Sequence, residues 1–109
     1  MSIIVATRAY ARASKFDTFF SISVDIVNAM SDTPGNLGVR INNQGLVWFT
    51  LTAWASSAAL DAFVFGDRHR EAMEAVDELT HSTAFARVHT DLSFDQIPWA
   101  EVTELLSTR

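Results

Sequence analysis

His69, in the stretch VFGDRHREAM at residues 64–73, is the side chain of this sequence that first invites a chemical reading. If the stretch is helical, His69, Met73 and Val76 fall at i, i+4 and i+7, so the imidazole shares an apolar stripe instead of a charged one. A ring so placed should be largely withdrawn from water and should need a hydrogen-bond partner for at least one nitrogen. Burial disfavours the imidazolium, so its pKa should lie below that of a free histidine unless a carboxylate sits beside it. Such a residue is either a general acid or base, or a core histidine bonded to a backbone carbonyl or a hydroxyl, and the second use is the commoner.

Other chemistry is thinly supplied. His69, His81 and His89 are the only histidines, and none forms a close pair with another histidine or a carboxylate in a recognised metal-binding spacing. No metal is expected. Ser56, Ser57 and Ser82 lie in no nucleophile-elbow pattern, and four glycines make no phosphate cradle. The absence of cysteine removes disulfides, thiolate nucleophiles and cysteine-based zinc together. Arg8 and Tyr10 share one face of a predicted first strand, and Arg87 and His89 share one face of a predicted last strand. Neighbouring strands would thus gather a polar cluster under the helices or at a subunit seam. The plainer alternative pairs Arg8 and Arg87 with Glu71 or Glu101 at an edge.

The elements that must position these residues belong to a chain of 109 residues, 49% of them hydrophobic, which is enough for one domain, residues 1–109, with a core that needs no staples. Thirteen acidic and eight basic side chains leave a net charge of −5, so phosphate-rich partners would be repelled over most of the surface. Neither nucleic acid nor membrane is expected as a partner. A small neutral or weakly charged hydrophobic ligand is. The start, MSIIVATRAY, has no basic region before its short apolar run and no cleavage-type segment after it, and no run approaches membrane length. It reads as a first strand, and a reducing cytoplasmic location fits the missing cysteine.

Hydrophobic periodicity then sets the order of elements. Residues 3–10, IIVATRAY, suit a strand, and Ser14 with Asp17 forms a capping box before a helix whose stripe is Phe16, Phe20, Ser23, Val27 and Met30. SDTPG at 31–35 ends it. LGVRI at 37–41 and LVWFTLTAW at 46–54 flank NNQG, which reads as an antiparallel hairpin loop. Ser56 or Ser57 caps the next helix, Gly66 breaks it, and Asp67 restarts it. Residues 83–90, TAFARVHT, give a fourth strand with Phe85, Arg87 and His89 on one face. IPWAEVTELL, with Trp99, Val102 and Leu106 in register, reads as a closing helix.

Strand, helix, strand, strand, helix, strand and a terminal helix predict an α+β fold of ferredoxin-like βαββαβ topology. On the third strand Leu46, Trp48, Thr50, Thr52 and Trp54 alternate with Val47, Phe49, Leu51 and Ala53, so both faces are largely apolar although two helices cover only one. A bare apolar face of that size predicts a second copy as its cover, and hence a homodimer.

The segment GLVWFTLTAWASSAALDAFVFGDRHREAM resembles the antibiotic-biosynthesis-monooxygenase-like group of dimeric α+β barrel proteins. The IPWAEVTELL tail is similar to a closing helix of some members, including small relatives of the spheroidene monooxygenases. The resemblance spans nearly the whole chain. It implies a small monooxygenase-like oxidoreductase that acts without cofactor on a hydrophobic aromatic or polyene compound. It also implies a ligand space between sheet and helices, lined by Phe20, Trp48, Trp54, Phe63, His69 and Met73. His69 or Arg87 would then assist deprotonation of the substrate or stabilise its charge while oxygen reacts directly. The alternative is a ligand-binding or structural homodimer without catalysis. The haem-degrading branch comes third. Its strand asparagine, helix tryptophan and haem-ligating histidine correspond here to Thr7, Phe63 and Met73, so none of the three is retained and no haem complex is expected.

Overall fold

A computed structural model describes residues 3–107, so residues 1–2 and 108–109 at the ends of the expected domain lie outside the described residues. In chain order the elements are β1 (Ile3–Ala11), a 3-10 turn (Ala13–Lys15), α1 (Phe16–Ser31), β2 (Asn36–Gln44) and β3 (Val47–Trp54). These are followed by α2 (Ser57–Val64), α3 (Asp67–Leu79), β4 (Thr80–Arg87), a second 3-10 turn (Phe94–Gln96) and α4 (Trp99–Ser107). The strands make one antiparallel sheet in the order β2-β3-β1-β4, the ferredoxin-like arrangement expected from the order of elements. No helix among the described residues is long and apolar enough to cross a membrane.

Several local signals act differently from their expectation. NNQG is not the hairpin loop: Asn42, Asn43 and Gln44 pair with Phe49, Trp48 and Val47, leaving only Gly45 and Leu46 in the turn. Gly45 has φ 66°, which the first central position of a primed two-residue turn requires and which glycine adopts without a Cβ clash. Ser14 lies in the 3-10 turn instead of capping α1, whose N-terminus has no side-chain cap. On α1 Phe16, Val27 and Met30 pack inward as expected, but Phe19, 4% exposed, takes the buried place expected of Phe20, which is 45% exposed. Ser56 does cap α2, its hydroxyl accepting from the Ala59 amide at 3.1 Å. Gly66 separates α2 from α3 as read, but Asp67 is the first helical residue and binds Arg70 at 2.7 Å instead of capping. The fourth strand runs over residues 80–87 instead of 83–90.

The largest correction concerns the sheet face expected to be bare. Ile4 and Ala6 of β1, Phe49, Leu51 and Ala53 of β3, and Ala84 and Ala86 of β4 form one continuous buried cluster with Ile97, Val102 and Leu106. Helix α4 and the turn before it therefore cover this face within the chain, and a second copy is not needed for it. On β4 Ala84 and Ala86 face α4 and are buried, their small size letting the helix pack close, while Phe85 and Arg87 point to the opposite face and are exposed.

Two arginines fasten this cover. Arg40 of β2 donates from one nitrogen to the carbonyls of Phe94 at 2.7 Å and Ile97 at 3.0 Å. Its guanidinium also lies over the rings of Trp99, 5.0 Å away, and Phe94, 5.7 Å away. At the far end of α4, Arg8 donates to the Leu106 carbonyl at 3.3 Å. Helix C-termini leave such carbonyls without intrahelical partners and favour cations beside them. Arg8 thus meets a backbone acceptor and not Glu71 or Glu101, and among the described residues the ion pair is Arg70–Asp67. Arg8 and Arg87 also point to opposite faces, since Arg8 pairs with Ala84 whereas Arg87 pairs with Val5.

Candidate functional site

The other face of the sheet lies under α1, α2 and α3, and its packing is divided. At one end Trp48, Ala11, Phe19 and Leu79 form a buried cluster with Phe16, Ile22 and Ala75 against it. At the other, Trp54, Met30 and Phe63 form a second cluster with Ile26, Val27 and Leu60 against it. Helix α1 runs over both. Two tryptophans six residues apart on one strand stand roughly 20 Å apart, so apolar contact at each end leaves a stretch of sheet between them.

Across that stretch lies a row of four residues, one from each strand. Ile41 pairs with Thr50, Thr50 with Thr7, and Thr7 with Phe85. Directly paired residues point to the same side of the sheet, so all four face the helices. Ile41 and Phe85, at the two edges, are 40% and 75% exposed, and the two threonines between them are half-buried. The row is thus exposed and apolar at its two edges and half-buried and hydroxylic at its middle, where α1 passes from one cluster to the other. The Thr7 and Thr50 hydroxyl oxygens are 2.6 Å apart. The neighbouring Thr52 is occupied differently, accepting from the Trp54 indole at 3.0 Å and facing the Val5 carbonyl at 3.5 Å.

The residues expected to line a ligand space fall into two groups on either side of this band. Phe20 meets Trp48 edge-on with ring centroids 5.6 Å apart. Trp54, Phe63 and His69 form a series, with centroids 5.5 Å apart for the first pair and 5.2 Å for the second. Met73 is 46% exposed, because the side of α3 that turns inward carries Ala75 and Leu79 instead. Arg87 is exposed at the β4 edge, on the helix-covered side of the sheet. It is not brought together with His69 by any contact.

His69 behaves as its stripe suggested. The ring is half-buried, and its Nδ1 lies 3.1 Å from the Val64 carbonyl across the α2–α3 break. A carbonyl only accepts, so Nδ1 carries the proton and Nε2 holds the free lone pair. Burial lowers the pKa below the ordinary histidine value, and the bond to Val64 offsets part of that shift. A neutral imidazole with its lone pair on Nε2 has the form of a weak base, but its partner at Nδ1 is a backbone group of the kind that holds core histidines. His81 accepts from Arg12 at 3.4 Å and stacks edge-on with Tyr10 at the surface. No group of three or more histidine and carboxylate side chains that could hold a metal occurs among the described residues.

A recess of about 220 Å³ lies elsewhere, between the end of β4 and α4, lined by Arg87, Val88, His89, Ile97, Glu101 and Val102 among others. It does not include His69. The threonine row escaped the reading of candidate site residues because Thr50 and Thr7 are ordinary strand formers. Its signal was present all the same, as two threonines standing between two tryptophans on the inward side of β3.

No family model matches the chain, and a search of curated proteins gives no match. Solved structures do match. Rv0793 from Mycobacterium tuberculosis superposes with a TM-score of 0.79 at 14% identity, over 85% of this chain and 98% of that one. A structure described as an antibiotic biosynthesis monooxygenase gives 0.75 at 11% identity, over 83% and 99%. SnoaB from Streptomyces nogalater, a cofactor-independent oxygenase solved as a point mutant, gives 0.73 at 9% identity, over 84% and 95%. The described chain thus has the α+β fold of the antibiotic biosynthesis monooxygenase-like structures.

Proposed function

We propose that this protein is a small oxygenase that binds a planar hydrophobic aromatic or polyene compound in the band between its two apolar clusters. The observation that carries the reading is the row Ile41–Thr50–Thr7–Phe85, exposed at its edges and half-buried at its middle, between clusters that each hold a tryptophan. Apolar walls with a few placed polar groups are what a small-molecule site requires. The likeness to solved monooxygenases supports an oxidation. In that reaction an electron-rich substrate CH2 loses a proton to a base, His69 being the candidate, and the carbanion reduces dioxygen. One oxygen atom enters the product as a carbonyl and the other leaves as water, so no external reductant is consumed.

Anthrone, a fused aromatic ketone with an acidic CH2, is the test substrate. With labelled dioxygen, mass spectrometry should find one labelled oxygen in the quinone at a rate above the uncatalysed oxidation. A rate equal to that of buffer contradicts the proposal. The second reading, a ligand-binding protein without catalysis, is favoured by the Val64 carbonyl that satisfies His69. Assembly as a homodimer belongs to the same proposal, and with α4 over one face its support comes from the unpaired backbone edge of strand β4. Sedimentation at micromolar concentration should give the mass of two chains, and the mass of one contradicts it.

A further inference from the structure

Resting on the ligand band of the proposed function, we infer that the Thr7–Thr50 hydroxyl pair is the recognition element of that site, and that it selects planar apolar molecules carrying a single uncharged hydrogen-bond-accepting oxygen, a ring carbonyl. Within the pair one hydroxyl donates to the other across 2.6 Å. A hydroxyl has one proton, so the accepting threonine keeps an O–H for which the described residues supply no partner. Thr52, on the same side of β3, differs in this respect, because its oxygen accepts from Trp54 and its proton faces the Val5 carbonyl. The unspent donor stands in the middle of the face, half-buried, with Ile41 and Phe85 on its row and the tryptophan clusters beyond.

A molecule lying along the row exchanges water for apolar contact with Ile41 and Phe85 and places one edge on the hydroxyl. A hydrocarbon gains only the apolar part. A molecule with an acceptor oxygen gains a hydrogen bond as well, in a setting where few waters compete for it. Either threonine can be the outward donor, so the pair serves an oxygen approaching from the β1 or the β3 side. The site does not favour a strongly anionic ligand, because no cationic side chain contributes to the row and the chain carries a net charge of −5.

Fluorenone and fluorene share a skeleton and differ by the carbonyl, so their affinities, read from quenching of tryptophan fluorescence, isolate the hydrogen bond. The full chain should bind fluorenone roughly five-fold more tightly than fluorene, which is about 1 kcal/mol. The Thr7→Val/Thr50→Val double variant keeps the β-branched shape and should bind both compounds equally, with fluorene unchanged. Thr50→Ser retains the hydroxyl and should retain the preference, which separates recognition from any loss of stability in the valine variant. Equal binding of the two compounds by the unaltered chain, or a preference that survives in the double valine variant, overturns the inference and leaves the oxygenase proposal standing. Binding of neither compound overturns both.

Discussion

The two faces of one sheet are built on different terms. The face under α4 is a single cluster in which Leu51 and Leu106 have no exposed surface and every strand but β2 supplies buried apolar side chains. Its polar contacts are arginine to backbone carbonyl, at Arg40 and Arg8. The face under α1, α2 and α3 carries more aromatic bulk yet is divided into two clusters, with threonines between them and exposed Phe85 and Ile41 at the edges. Continuous packing stabilises, and an interrupted face gives up some of that stabilisation where a ligand can substitute for core. The difference accords with the proposal that the α4 side supplies stability and the helix side the binding.

Substitutions separate the two assignments most strongly at their extremes. Leu106→Ala, which leaves a void beneath α4, should cost about 2–5 kcal/mol in denaturant unfolding. Phe85→Ala removes a larger but mostly solvated side chain and should cost less than about 0.5 kcal/mol while weakening ligand binding. Comparable losses at the two positions would erase the distinction. Next in size is Arg40→Met, which keeps apolar length over Trp99 but removes both carbonyl hydrogen bonds, for an expected loss of about 1.5–3 kcal/mol. Hydrogen exchange should then quicken in residues 94–107 and remain unchanged in α1. Exchange quickening evenly over the whole chain would mean that Arg40 is not a local clamp.

These two faces were unequally legible in the amino-acid order. Strand and helix periods gave the order of elements and the topology, and Trp99, Val102 and Leu106 gave the inward side of α4. What covers each face depends on where the chain returns after Arg87, and periodicity says nothing about that path. The α4 side of β4 presents Ala84 and Ala86, and small residues there looked less like core than Phe85 did. On the α3 stripe His69 and Val76 are partly buried as expected and Met73 alone is not, since Met73 outweighs Ala75 in hydrophobicity but the smaller residue is the one that packs against the sheet. For the site, the tryptophans and His69 stood out by type. Thr7 and Thr50 acquire meaning only through strand register, which brings together residues 43 apart in the chain.

Smaller effects sharpen the helix side. The Thr7–Thr50 contact contributes roughly 0.2–1 kcal/mol as a cross-strand pair, so Thr50→Val should shift the melting point little. For His69 the folded pKa is depressed by burial, so the unfolded chain takes up the proton first as pH falls. Stability should therefore be full above the ordinary histidine value and decline as pH drops from about 6.5 toward the folded pKa. His69→Gln should flatten that part of the profile. An unaltered slope would show that another group titrates there.

The assignment of binding to one face is tested most directly by methyl and amide NMR during titration with fluorenone. The account predicts that resonances of Ile41, Thr50 and Thr7 shift with a single saturating dependence, while those of Leu51, Ala53, Val102 and Leu106 stay in place. Saturable shifts centred on the α4 side, with the threonine row silent, would contradict it.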